Sequence, residues 1–99
     1  MTWKVNVVEK GRYGYIEYVE NGQTCQYYWE LGGGDTIAII SVPSPEEWEV
    51  KYPWARGRRQ EVLSALVGET RKQRAPTAVI EWDDNMNCVY LKEKPGKTL

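Results

Sequence analysis

The run Tyr52-Pro53-Trp54-Ala55-Arg56-Gly57-Arg58-Arg59 sets aromatic rings beside guanidiniums more densely than any other part of the chain. A guanidinium forks onto phosphate or carboxylate, and a ring beside it can stack a base, so these residue types suit anion or nucleobase recognition. Trp48 lies just upstream and joins the candidate set. The plainer reading is structural: Trp48 and Trp54 plug a junction between two helices while the arginines are solvated or answer carboxylates. Arg59 stands out on either reading. A helix drawn from Trp54 places it near the centre of an apolar stripe, where an unpaired charge is costly. Either Gly57 bends the helix enough to swing Arg59 outward, or Arg59 reaches a carboxylate on the sheet and is held there, with Glu17, Glu30 and Glu81 as the candidates.

Other chemistries are narrowed by what is absent. The chain holds five Trp and seven Tyr but no Phe and no His. Every large ring therefore carries a polar group, which suits surfaces half apolar and half wet. Without His there is no Ser-His-Asp or Cys-His pair, no imidazole metal ligand and no ordinary switch near neutral pH. Cys25 and Cys88 are too far apart for a CxxC pair and read as free, partly buried thiols rather than metal ligands. Gly32-Gly33-Gly34-Asp35 lacks the following helix and Lys-Ser/Thr of a phosphate loop, and Asp83-Asp84-Asn85-Met86-Asn87 lacks the spacing of a calcium loop. Both read as turns. No cofactor and no metal are expected.

At 99 residues, with no linker or repeat, the chain reads as one domain over 1–99, with a polar tail from 94. No apolar run follows Met1, and Thr36 to Val42 is too short to cross a bilayer, so a cytoplasmic protein without membrane association is expected. The net charge is −1 but unevenly placed. Residues 1–50 hold three Lys/Arg against eight Asp/Glu, whereas 51–74 hold seven against two. A basic helix lying against an acidic sheet explains this split, and so does a basic face for an acidic partner.

The elements that position these residues follow from periodicity. Trp3, Val5 and Val7 alternate with polar neighbours, Tyr13 to Glu20 follows a turn, and Asn21-Gly22 marks a hairpin into Thr24 to Leu31. Thr36 to Val42 is apolar on both sides, as an interior strand should be. Ser44-Pro45-Glu46-Glu47 has the form of a capping box, and Tyr52-Pro53 ends that helix. A longer helix is expected over Trp54 to Gln73, burying Ala55, Val62, Leu63, Leu66, Thr70 and Gln73. Thr77 to Trp82 and Asn87 to Glu93 form a closing hairpin. Four strands, a helix and two strands predict an α+β fold: a mostly antiparallel sheet of about six strands with one long helix on one face.

One helix cannot cover both faces of such a sheet. The second face is expected to carry several of Tyr13, Tyr15, Tyr18, Tyr28 and Tyr90. The functional expectation is thus a binding module that acts through association with another protein or with itself, a homodimer being the simplest form. An inhibitor, an immunity-type protein or an accessory subunit would fit. The candidate binding residues are Trp48, Tyr52, Trp54, Arg56, Arg58, Arg59, Tyr13, Tyr15 and Tyr28. Nucleic-acid binding through the basic helix over 54–74 is the alternative, and an enzyme of unknown class ranks third.

Overall fold

A computed structural model describes residues 2–94. The polar tail expected from 94 lies, from 95 onward, outside the described residues. Six strands, β1 (Trp3–Glu9), β2 (Tyr13–Glu20), β3 (Gln23–Leu31), β4 (Thr36–Ser41), β5 (Val79–Asp83) and β6 (Cys88–Lys92), form one sheet in the order β1-β2-β3-β4-β6-β5. Every pairing is antiparallel. The helices α1 (Pro45–Lys51) and α2 (Arg59–Arg74) connect β4 to β5. This is the expected α+β architecture, with β4 an interior strand as its two apolar sides require.

Local chemistry explains the joints. Asn21 and Gly22 both take positive φ, 50° and 80°, which twists the two-residue β2–β3 turn to match its strands. Gly14 in β2 is needed for a different reason. A Cβ there would overlap the Val8 carbonyl oxygen. The indole of Trp29 also crosses this position, donating from Nε1 to Val8 O at 3.2 Å. At the start of α1, Ser44 Oγ accepts from Glu47 N at 3.1 Å, and Glu47 accepts from Ser44 N at 2.9 Å. That is the anticipated capping box, with Pro45 at the first helical position.

The long helix begins later than the sequence suggests. Pro53–Ala55 forms a separate 3-10 turn, and Gly57 at φ 76° stops the chain from continuing into α2. Glu49 holds this bend from α1: its carboxylate accepts from Gly57 N at 2.9 Å and its carbonyl from Arg56 Nε at 3.2 Å. The helix over Trp54 to Gln73 is thereby corrected to Arg59–Arg74. Within it Val62, Leu63, Leu66 and Thr70 of the expected stripe are buried and Val67 joins them, whereas Gln73 is exposed, its amide donating to Val5 O at 3.1 Å. Val62, Leu63, Leu66 and Val67 meet Val5, Ile16 and Tyr18 of the sheet in one core, which also takes in Trp48 and Tyr52. Both helices therefore cover the same face of the sheet.

Candidate functional site

Strand alternation decides which side chains remain on the uncovered face. In β2, Gly14, Ile16, Tyr18 and Glu20 turn toward the helices, so Tyr13, Tyr15, Glu17 and Val19 turn away. Tyr15 stands opposite Tyr28 in the β2–β3 register, and the Tyr13 and Tyr28 rings lie 6.1 Å apart at 30°. Tyr13 and Tyr28 are each about half exposed, at 50% and 47%. Partial desolvation, then the Glu30 carboxylate, raises the Tyr28 phenol above its ordinary pKa. Tyr13, Tyr15 and Tyr28, three of the five tyrosines anticipated for this face, are thus brought together on it. Tyr90 shares the face but is engaged, donating to Asp83 at 3.0 Å, while Lys92 pairs with Glu81 at 2.7 Å.

Tyr18 is a correction. It lies on the helix side, is 2% exposed, stacks on Trp3 and donates its hydroxyl to Glu20 at 2.5 Å. Burial, then the Glu20 bond, raises its pKa.

The aromatic and basic run around residue 54 is taken up by structure. Trp48 is fully buried and donates to Ala55 O at 2.7 Å, and Tyr52, 7% exposed, packs 4.7 Å from its ring. Neither ring reaches the surface as a binding group would. Trp54 is half-buried edge-on to Tyr52. Arg56 is exposed and holds Glu49 O.

The buried ion pair expected at Arg59 is made by its neighbour. Arg58 forks onto Glu20, with Nη1 to Oε2 and Nη2 to Oε1 both at 2.9 Å, and reaches Glu61 at 2.7 Å. The Glu20 side chain is only 4% exposed, whereas that of Arg58 is 25% exposed. Hydrogen bonds from Arg58 and then Tyr18 hold the Glu20 carboxyl below its ordinary pKa against the opposing effect of burial. Glu61 and Glu20 together raise that of Arg58. Arg59 instead donates Nε to Pro43 O at 3.0 Å. None of Glu17, Glu30 and Glu81 is the buried partner. Glu20 was missed, although the alternation of β2 carries the signal: it ends the inward row that Ile16 and Tyr18 begin.

The remaining basic residues of α2 are largely committed. Arg71 donates to Ala78 O at 2.7 Å, and Arg74 pairs with Glu9 at 3.1 Å. Charge splitting between the acidic first half and the basic middle is therefore answered inside the molecule at Arg58–Glu20 and Arg74–Glu9. Among the described residues no group of His, Cys, Asp or Glu is arranged to hold a metal ion, and no helix is long and apolar enough to cross a membrane. Cys25 and Cys88 are free and buried, and burial raises the Cys25 thiol pKa. Comparison with protein-family models, with curated proteins and with solved structures returned no match.

Proposed function

We propose that this chain is a protein-association module that uses the tyrosine-bearing open face of its sheet, with a homodimer as its simplest form. The observation that carries the reading is the one-sided cover: both helices pack on one face, leaving Tyr13, Tyr15 and Tyr28 clustered on the other. Tyrosine suits such a surface because it contributes large contact area with few rotatable bonds and a hydroxyl for the wet rim. The dimensions also fit. Six strands at about 4.8 Å spacing give a face about 29 Å wide, and strands of five to nine residues make it about 17–30 Å long. That plane, about 500–850 Å², is comparable with the roughly 800 Å² each partner buries in a standard interface.

Nucleic-acid binding has less support, because Arg58 and Arg74 face carboxylates while Arg56, Arg59 and Arg71 are tied to backbone carbonyls. Sedimentation velocity over a concentration series tests the association reading. A concentration-dependent dimer is expected for the parent chain, and Tyr13→Ser with Tyr28→Ser should return it to monomer while keeping the parent's urea midpoint at concentrations where the parent is itself monomeric. A strict monomer at the highest soluble concentration would remove self-association.

A further inference from the structure

On the helix side, away from the open face, the sheet is not fully covered. Beside the C-terminal end of α2 a pocket of about 140 Å³ opens between Thr70 and Arg74 of the helix, Ala75 just after it, and the ends of β1, β3 and β4. Its walls are apolar, with Val7, Ile16, Trp29 and Leu91 among them. Two local features make the room. The β4–β6 register shifts between Thr36 and Ala38, and sequence neighbours Ile37 and Ala38 both pack against the core, as a bulge permits. Small side chains at Ala38 and Ala75 then leave space where larger ones would close it.

The charged groups lining the pocket are Glu9 and Arg74. They form an ion pair at 3.1 Å, with side chains 51% and 46% exposed. The two are not equally fixed. Arg74 also donates Nη2 to Val7 O at 3.3 Å, tying the guanidinium to β1, and it retains further N–H donors. Glu9 is a half-exposed carboxylate in a surface pair, the kind of contact that contributes little and is readily exchanged. An incoming anion needs to displace only Glu9, whereas an incoming cation would have to displace the guanidinium that β1 holds.

We infer that this pocket is a binding site for a small apolar monocarboxylate, its body seated among Val7, Ile16, Trp29 and Leu91 and its carboxylate on Arg74 in place of Glu9. The volume sets the size of the body, since a cavity of about 150 Å³ accommodates one benzene ring or a branched chain of about five to seven carbons. Thr70 does not compete for the carboxylate, because its hydroxyl already donates to Leu66 O at 2.8 Å.

The test is an amide-resolved NMR titration with three molecules that share one body: 4-methylpentanoate, 4-methylpentanamide and 4-methylpentylamine. Saturable shifts centred on Ala38, Thr70, Ala75 and Leu91 are expected with the carboxylate, which should bind at least about fivefold more tightly than the amide or amine. Arg74→Gln should abolish that preference, and Glu9→Gln should strengthen carboxylate binding by about twofold to threefold. Ala75→Leu, at the end of α2, should fill the pocket and remove binding of all three while a thermal melt reports a folded chain. Equal affinities for the three head groups, shifts centred elsewhere, undiminished binding in Ala75→Leu, or no saturable shift at all would each overturn the assignment.

Discussion

Replacing Arg58 by Ala removes the partner of the most deeply placed charge in the described chain. Glu20 would keep the Tyr18 hydroxyl at 2.5 Å but lose both 2.9 Å bonds from the guanidinium. Breaking a buried pair from one side costs about 3–5 kcal/mol, because the remaining charge is left without compensation. Arg58 is a quarter exposed and the Tyr18 bond survives, so the low end applies, about 3 kcal/mol at pH 7. For a chain of this length that corresponds to a fall in Tm of about 12–24 °C. The pH dependence separates this cause from lost packing. In the parent protein the Glu20 pKa is depressed, so its contribution is present above the unfolded carboxylate pKa and is lost as pH falls through the folded one. In Arg58→Ala the buried carboxylate has no cation, its pKa rises, and the penalty is relieved on acidification as Glu20 takes a proton. The stability difference between the two proteins should therefore be largest near neutrality and shrink toward pH 4. Urea melts from pH 4 to 8 measure it, with Arg59→Ala as the comparison, since losing a bond to Pro43 O should cost only about 1 kcal/mol. A flat difference across that range, or a larger loss in Arg59→Ala than in Arg58→Ala, would refute the reasoning.

Three further substitutions read other parts of the fold. Gly14→Ala should destabilise by about 3 kcal/mol or more, because the new methyl overlaps the Val8 carbonyl and displaces the Trp29 indole; a urea midpoint within error of the parent would show that β1 and β2 part there at little cost. Ser44→Ala removes the α1 cap and should cost about 1 kcal/mol, with unchanged hydrogen exchange at Leu31 and Leu91 if the effect stays local. Tyr27→Phe deletes a buried hydroxyl that faces Cys25 and Tyr52 without a hydrogen bond of good geometry. It should be neutral or stabilising by up to about 1 kcal/mol in a thermal melt, and a loss beyond that would mean the hydroxyl is satisfied.

The sheet was legible because a strand's side chains alternate whatever its neighbours do. Tyr13 to Glu20 is delimited as it stands, Asn21-Gly22 identifies its turn, and the apolar character of Thr36 to Val42 on both sides places β4 in the interior. The order of β6 and β5 was not legible, since it depends on which strand the returning chain pairs with after two helices. The tyrosine cluster on the open face was read correctly for Tyr13, Tyr15 and Tyr28, whose alternation is regular. Tyr18 follows the same rule from the opposite side, its parity matching that of buried Ile16.

Arg58 and Arg59 show where periodicity fails. Counting helical phase from Trp54 assumes an unbroken helix, and under that assumption Arg59 falls in the apolar stripe. Gly57 breaks the assumption: at φ 76° it separates the 3-10 turn from α2, so the phase restarts and Arg58 precedes the first helical residue. From there its guanidinium spans Glu61 in the first turn of α2 and Glu20 at the end of β2. A periodic pattern reports side-chain direction only inside an element, while this contact joins two element ends. The need for it was nonetheless readable, in the acidic first half, the basic middle and a charge that required a partner. What the chain could not express through spacing was which of two adjacent arginines the bend would deliver, because a single left-handed glycine decides it.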